Sequence, residues 1–302
     1  MEPSLHPVAA IAPREKLKRA PARHSAFSHP RDFHDQRFVY TVVSARARGL
    51  SVGVNLNPDK FCNFDCQYCE VDRSPPAVKT KLDVRVLTAE LQATLTRVLQ
   101  GRLRERPAYQ TVPAELLQLQ HVALSGDGEP TLAPEFAEVV EAVVHVRAVG
   151  EFPFFKMVLL TNAAGLDLPV VQRGLAHFTK SDEIWVKLDA GTPAYFNKLV
   201  RPSGITFEKV LANLLLVARQ RPVIIQSLFP TINDEPPAEA EIEEYARRLQ
   251  ELKSGGAQIS LVQIYSTTRP TWQPQCGYLP LKTLSQIAQT VRQVAGLKAE
   301  IF

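Results

Sequence analysis

Three cysteines lie close together in one short stretch of the chain, residues 61–69 (FCNFDCQYC). Cys62, Cys66 and Cys69 have the spacing C-x3-C-x2-C and follow a predicted strand over residues 51–56. Thiolates in this arrangement favour a soft metal or an iron–sulfur cluster. A closed zinc site or a fully ligated [4Fe–4S] cluster takes four protein ligands, and the only other cysteine, Cys276, is far along the chain. The local set therefore has three ligands, and a [4Fe–4S] cluster held by it keeps one iron open to a chelating molecule.

Two other interpretations of these cysteines remain open. A zinc site of three cysteines and one histidine needs a nearby His, and none lies within twenty residues of the motif on either side. A disulfide within the motif is the third interpretation, although such short spacings are more typical of metal binding.

The composition limits the class of protein. The chain has 302 residues, of which 45% are hydrophobic, which is enough for one catalytic domain with a large core. The net charge of +4 is mildly basic and not typical of a nucleic-acid-binding protein. No apolar run is long enough to span a membrane, and the N-terminal stretch lacks the apolar centre of a secretion signal. We therefore expect a cytoplasmic protein without membrane association, in a reducing compartment that suits an iron–sulfur cluster.

The positive charge is concentrated near the N-terminus. Six Lys and Arg residues lie between Ala10 and Arg31, against the single acid Glu15, together with several prolines. Little in this stretch could form a packed face, so residues 1–36 are predicted to be a flexible basic arm and residues 37–302 the folded domain. Contact of the arm with RNA is the less favoured alternative, because basic tails are commonly only solvated.

Strand and helix patterns alternate through the rest of the chain. Strands are predicted over residues 38–43, 51–56, 121–124, 154–160, 183–188, 223–229, 258–265 and 298–302. Helices are predicted over residues 88–104, 134–146, 169–177, 193–199, 207–220, 237–252 and 281–294. This alternation favours a parallel sheet built from right-handed βαβ units, six of them counted from residue 51.

Unusual residues follow the ends of the predicted strands, where βα barrels place their chemistry. The second barrel strand leads into residues 125–132 (SGDGEPTL), whose two glycines let the backbone approach a ligand closely. Later strands end at polar residues, namely Asn162, Lys187, Asp189, Gln226 and Tyr265. Lys187 and Asp189 are two residues apart on one strand face, so we expect them to pair inside the barrel mouth. Helix capping or loop hydrogen bonding is the alternative role for Asn162 and Asp189.

The cysteine spacing, with Tyr68 directly before the last cysteine, resembles the signature of the radical S-adenosylmethionine (SAM) superfamily. The resemblance implies an α/β fold, the partial (β/α)6 TIM-like barrel, and a [4Fe–4S] cluster on Cys62, Cys66 and Cys69 whose open iron is chelated by SAM. It further implies that an electron from a flavodoxin or ferredoxin cleaves SAM. The resulting 5′-deoxyadenosyl radical then abstracts hydrogen from a substrate.

The same resemblance assigns residues around SAM. The stretch after the second barrel strand resembles the glycine-rich motif that binds the methionine part of SAM, and its residues are Gly126, Asp127, Gly128 and Glu129. Asn162, Asp189 and Gln226 are assigned to the ribose and carboxylate of SAM or to the substrate. The ring of Tyr68 and the backbone near Tyr265 are assigned to the adenine. Lys187, Asp189 and Arg201 are the candidate catalytic residues, with Arg201 as a clamp for a carboxylate or phosphate or, alternatively, a solvated side chain.

Within the superfamily, four motifs resemble the wyosine-synthase-like group, whose best understood members rebuild a methylated guanine in transfer RNA. They are CNFDCQYC, SGDGEPTL, KLDAG and the Arg201–Pro202 pair. Those members bind a second iron–sulfur cluster through upstream cysteines, whereas residues 1–61 here contain none. The wyosine activity therefore does not follow. We predict a radical SAM enzyme acting on an unidentified substrate, a small molecule in preference to RNA. An RNA-modifying radical SAM enzyme and a non-catalytic zinc or iron–sulfur protein are the alternatives.

Overall fold

The computed structural model describes residues 26–74 and 81–302 of the chain. Its strands are β1 (Val39–Ser44), β2 (Gly49–Asn55), β3 (Leu119–Ser125), β4 (Lys156–Thr161), β5 (Glu183–Lys187), β6 (Val223–Leu228), β7 (Thr231–Ile232), β8 (Ile259–Tyr265), β9 (Cys276–Gly277) and β10 (Ala299–Ile301). Its helices are α1 (Val84–Leu99), α2 (Phe136–Ala148), α3 (Pro169–Leu175), α4 (Pro193–Val200), α5 (Phe207–Ala218), α6 (Glu239–Ser254) and α7 (Leu281–Ala295).

Eight strands form one sheet, in the order β1-β2-β3-β4-β5-β6-β8-β10. β1 is antiparallel to β2, and all the other neighbours are parallel. Each of the six strands β2, β3, β4, β5, β6 and β8 is followed by at least one helix, so the sheet curls into an open half-barrel. The predicted partial (β/α)6 barrel is therefore confirmed. The short antiparallel ribbon of β7 and β9 was not predicted, since two-residue strands leave no periodic signal.

The strand sequences divide their side chains between two surfaces. All of β2 is buried, yet Val52 and Val54 belong to the main apolar core while Ser51 lines the barrel interior. Gly53 lies against the ring of Tyr40 on β1, and a Cβ at residue 53 would come within 2.0 Å of that ring. The absence of a side chain at Gly53 thus lets the Tyr40 ring cross the barrel interior, where its hydroxyl meets Ser125 Oγ at 2.8 Å.

The first helix shows why sequence periodicity misplaces helix ends. The prediction was 88–104, whereas α1 covers Val84–Leu99. The side chain of Asp83 accepts from the amides of Arg85 and Val86, and this capping starts the helix earlier than the apolar pattern indicates. Gly101, at φ 69°, ends it, and the apolar Leu103 lies in a separate 3-10 turn.

The segment that precedes β1 packs on the barrel from residue 26 onward. Asp32 forms a backbone bridge to Thr41, and its carboxylate pairs with Arg106 at 3.0 Å. Residues 1–25 of the predicted basic arm lie outside the described residues, so the division of the chain at residue 36 stays a prediction. Across the described ranges, no helix has both the length and the apolar character needed to cross a membrane.

Candidate functional site

The cysteine loop follows β2 and is held against the connection between α4 and α5. The amide of Asp65 donates to Val200 O at 3.0 Å, and that of Gln67 donates to Leu199 O at 2.9 Å. In return, the amide of Ser203 donates to Asn63 O at 2.8 Å. These contacts join backbone groups of the cysteine loop to the end of α4 and to the residues that follow it.

The three thiols border one cavity of about 400 Å³. The Cys69 amide donates to Cys66 O at 3.0 Å, which folds the C-x2-C segment into a turn. Burial raises the pKa of the Cys62 thiol to about 11 and that of Cys66 well above its usual range. Cys276 is a buried residue of β9 and does not line this cavity.

The thiols fit an iron–sulfur cluster better than a single ion. In the part of the chain that the structure describes, no three His, Cys, Asp or Glu side chains converge to hold one metal ion. A [4Fe–4S] cluster binds each thiolate to a different iron, so its cysteines need only border a common space. The Phe64 amide donates to Cys62 Sγ at 3.4 Å and the Val71 amide to Cys69 Sγ at 3.5 Å. Such N–H donors to sulfur are typical of the surroundings of cluster ligands.

Arg73 is a site residue that sequence reasoning missed. Its guanidinium donates to Cys69 Sγ at 2.9 Å and to Asp127 O at 2.7 Å, and its Nε donates to Lys60 O. It therefore joins the cysteine loop to the glycine-rich loop after β3 and stabilises negative charge on the Cys69 sulfur. A single arginine in a loop carries no spacing signal that could have identified it.

The glycine-rich loop packs directly behind the cysteine loop. Gly128 faces Phe61, and a Cβ there would lie 1.9 Å from the Phe61 carbonyl oxygen. Gly126 adopts φ 150°, and a Cβ there would lie 2.2 Å from Asn55 Oδ1. The Glu129 amide donates to Phe61 O at 3.1 Å. Gly128 is thus needed for the contact between the two loops, and Gly126 for the close approach to Asn55 at the end of β2, in addition to any approach of a ligand.

The acids of this loop contact protein groups. Asp127 accepts from Asn55 Nδ2 at 2.8 Å and pairs with Arg31 at 2.7 Å. Neither Asn55 nor Arg31 was among the sequence candidates. Glu129 is buried and accepts four hydrogen bonds, which come from Thr131 N, Thr131 Oγ1, Thr161 Oγ1 and Asn162 N. Its burial raises the pKa of its carboxyl, against the effect of these donors.

Asn162 lies beside the cysteine loop. Its backbone is fixed by Glu129, and its Nδ2 donates to Asn63 Oδ1 at 3.0 Å. Arg201 lies on the other side of the same loop, in a left-handed conformation (φ 44°) at the end of α4. Its guanidinium pairs with Asp65 at 3.0 Å and its Nε donates to Asp65 O. Both residues therefore border the cysteine loop rather than the barrel interior.

Lys187, Asp189 and Tyr68 form one network at the barrel mouth. The expected pairing of Lys187 with Asp189 is confirmed, with Nζ 3.2 Å from Oδ1. The Tyr68 hydroxyl donates to the other oxygen of Asp189, and the Leu228 amide donates to Oδ1 at 2.7 Å. Burial alone would lower the pKa of Lys187, but the Asp189 carboxylate and the Tyr265 hydroxyl outweigh it and raise that pKa. The ammonium therefore stays charged.

The barrel interior contains a second cavity of about 420 Å³. Tyr68, Lys187, Gln226 and Tyr265 line it, and Gln226 Nε2 donates to Gln263 at 2.9 Å. Two further lining residues are His121 and Trp185, whose rings meet edge to face at 5.2 Å. Cys69 and Val71 border both this cavity and the thiol cavity, so the two spaces adjoin.

His121 is buried in this wall, and its Nδ1 has no hydrogen-bond partner within the described ranges. Burial, with a smaller contribution from Lys156, lowers the pKa of His121 to about 3. His121 was not among the sequence candidates, because the apolar pattern of its strand does not indicate which residues face the cavity.

Comparison with known protein families gives one match that covers well over half of the chain. The family model described as the radical SAM superfamily matches residues 56–249. Among curated proteins, the UPF0026 protein of Helicobacter pylori is 29% identical over 181 residues, which is 59% of this chain and 50% of that protein. The UPF0026 protein slr1464 of Synechocystis sp. is 27% identical over 178 residues, 58% of this chain and 57% of that one. The chain thus spans about half the length of these relatives.

Solved structures resemble the fold at low sequence identity. A radical SAM methyltransferase from Sphaerobacter thermophilus aligns with TM-score 0.56 and 18% identity, over 88% of this chain and 70% of that one. TYW1 with a lysine–pyruvate adduct bound aligns with TM-score 0.56 and 15% identity, over 85% of this chain and 84% of that one. At such identities the likeness concerns the fold.

Proposed function

Because this chain belongs to the radical SAM superfamily, we propose that Cys62, Cys66 and Cys69 hold a [4Fe–4S] cluster for reductive cleavage of SAM, and that hydrogen is abstracted from a substrate in the barrel cavity. Members of the superfamily use this cluster and SAM, and an enzymatic role follows from membership. When bound, the cluster and SAM supply the radical chemistry. The electron donor that we propose is a flavodoxin or ferredoxin.

One observation carries the proposal. The cavity bordered by the three thiols adjoins the barrel cavity at Cys69 and Val71. A group bound at the thiols therefore lies beside the barrel cavity, so a substrate in that cavity is close to the radical chemistry. The interior volume of about 420 Å³ lies in the range of small-molecule sites and supports a small-molecule substrate over RNA.

The residues of this chain are proposed to act in two groups. Gly128, Asn162 and Arg201 hold the cysteine loop through contacts with Phe61, Asn63 and Asp65. Lys187 and Tyr68 line the barrel cavity, and Asp189 bonds to both of them. The ammonium and the hydroxyl are suited to orienting polar groups of SAM or of the substrate, because their contacts with Asp189 fix their positions.

The proposal is tested by changing single cysteines in protein reconstituted with iron and sulfide under anaerobic conditions. We expect Cys62→Ala, Cys66→Ala and Cys69→Ala each to lose the cluster and SAM cleavage. Cys276→Ala, the matched control, is expected to keep both, since Cys276 belongs to β9 and does not line the thiol cavity. Iron and sulfide content and the release of methionine and 5′-deoxyadenosine are measured.

Loss of the cluster in Cys276→Ala would indicate a fourth protein ligand and no open iron, which would refute SAM chelation. A wild-type protein that binds zinc and remains colourless after reconstitution would favour the non-catalytic alternative.

A further inference from the structure

Among the residues that the structure describes, four cationic side chains line the barrel cavity, and three of these have an acidic partner. Arg31 pairs with Asp127 at 2.7 Å, Lys187 with Asp189 at 3.2 Å, and Arg269 with Glu70 at 3.4 Å. The fourth is Arg46, and no carboxylate within residues 26–74 and 81–302 forms an ion pair with it. Of these four cations, Arg46 is therefore the one without an acidic partner among the described residues.

Arg46 lies in the turn between β1 and β2, and its side chain reaches Tyr265 at the end of β8. Its guanidinium carbon is 3.9 Å from the centre of the Tyr265 ring, so the group lies against the ring face. A ring face attracts the charge but does not accept the in-plane N–H bonds of a guanidinium. The Nε of Arg46 is buried and has no hydrogen-bond acceptor among the described residues. Arg46 thus has an Nε–H donor that no described residue accepts and that a ligand can use.

Arg269 brings a second guanidinium to the same end of the cavity. Its Nη2 donates to Val43 O, at the end of β1 just before the Arg46 turn, and its Nε is also buried without an acceptor. The hydroxyl residues Ser44, Thr267 and Thr268 line the cavity here too. Planar guanidinium groups and hydroxyls are the donors that proteins use for carboxylates and phosphates.

We infer that Arg46, with Arg269, binds an oxyanion of the substrate, a carboxylate or a phosphate group. The binding site is the end of the barrel cavity next to the β1–β2 turn. The inference rests on the proposed function, since it names a chemical property of the substrate of that reaction. The rest of such a substrate extends along the aromatic wall of Tyr265 and Trp185 towards the thiol cavity. An anion at Arg46 thus fixes which end of the substrate faces the radical chemistry.

The test titrates the reconstituted protein with inorganic phosphate and, separately, with acetate, by calorimetry at constant chloride. Each titration is run without reductant, both with saturating SAM and without it, so that binding at the carboxylate site of SAM is recognised. We expect one of the two anions to bind in the presence of SAM, and the one that binds identifies the oxyanion. In Arg46→Gln its affinity should fall at least about ten-fold, which corresponds to about 1.4 kcal/mol.

The matched control is Arg48→Gln, in the same turn. Arg48 is mostly exposed, pairs with Glu300 at 2.7 Å and does not line the cavity, so its removal should leave anion binding unchanged. Arg46→Lys should bind the anion more tightly than Arg46→Gln and less tightly than the wild type, because it keeps the positive charge but lacks the planar guanidinium donors. If Arg46→Gln does not fold, Arg46→Lys and Arg269→Gln decide the question in its place.

Absence of binding by either anion, or equal affinity in wild type and the cavity arginine variants, would overturn the inference. Loss of affinity in Arg48→Gln to the same extent would also overturn it, because it would indicate a general charge effect. Cluster content and SAM cleavage of the wild type are measured in parallel. A wild type that holds no cluster or does not cleave SAM would refute the proposed function, whereas anion binding is measured independently of both.

Discussion

His121 illustrates how one buried side chain can make the stability of the folded state depend on pH. Its ring packs edge to face on Trp185, inside the barrel wall. Burial lowers the pKa of His121 to about 3, whereas an unfolded histidine titrates near its ordinary value. The unfolded chain therefore binds a proton at a higher pH than the folded chain does. The contribution of His121 to the unfolding free energy is fully present above the pKa of an unfolded histidine. It is lost as the pH falls from there towards about 3.

We predict that replacement of His121 by Gln makes stability less dependent on pH. Between about pH 7.5 and about pH 5.5, wild type should lose about 1.4 kcal/mol more unfolding free energy than His121→Gln, the effect of one linked proton. Urea unfolding at both pH values, with equal cluster content in the two proteins, measures the difference. His177→Gln, which removes an exposed histidine near Glu141, should behave as wild type does. A parallel loss of stability in wild type and His121→Gln would contradict the buried, neutral ring.

At the scale of residues, sequence reasoning found contacts that depend on local spacing. Three cysteines in one loop and the Lys187–Asp189 pair on one strand face were predictable for this reason. Arg73 and Asn55 both reach Asp127 from far along the chain, and nothing near either residue marks the contact. Arg46 was missed for a similar reason, since its partner ring belongs to β8 at the other side of the sheet.

Two loops, after β2 and after β3, behave as one structural unit. Phe61 O accepts the Glu129 amide and contacts Gly128, and Arg73 bridges from the first loop to Asp127 O. From sequence, a glycine in the second loop was assigned to the approach of SAM. The structure adds that the same glycine leaves room for the loop that carries the cysteines.

We therefore expect Gly128→Ala to reduce cluster content as well as SAM binding. The new Cβ would lie 1.9 Å from Phe61 O and within 2.8 Å of Asn57, so the cysteine loop must shift. Gly150→Ala, just after α2, is the control, because it introduces a side chain at a left-handed glycine (φ 80°) with open space around it and no contact with either loop. Iron and sulfide per chain after reconstitution are compared. Full cluster content in Gly128→Ala, with only SAM binding weakened, would mean that the loops move independently.

The existence and order of the elements followed from alternating patterns, because long periodic segments dominate the barrel. The ends of the elements did not follow from these patterns. The start of α1 at Val84 illustrates this, because capping by Asp83 and not the apolar periodicity decides where the helix begins. The β7–β9 ribbon depends on pairing between segments that are distant along the chain.

For the whole molecule, the open question at the N-terminus is whether the basic stretch serves RNA. The described part, from residue 26, is engaged with the barrel through Arg31 and Asp32. A truncation that tests the stretch should therefore remove residues 1–25 and no more.

We predict that deletion of residues 1–25 leaves SAM cleavage in the absence of substrate unchanged, and that the full chain binds transfer RNA weakly and only at low salt. A protein that neutralises several phosphates loses affinity steeply as salt rises. Filter binding of total transfer RNA, by full and truncated chains at about 50 mM and about 200 mM salt, checks both points. Tight binding at the higher salt that disappears on truncation would place RNA modification ahead of a small-molecule reaction.

The backbone bonds between the cysteine loop and the end of α4 bear on which substitutions the loop can accept. They join the peptide groups of Asp65, Gln67 and Ser203 to their partners. A change of side chain at one of these residues leaves its peptide bond to the partner in place, whereas a proline there removes the N–H donor. This contact therefore constrains the path of the backbone more than the identity of the three side chains.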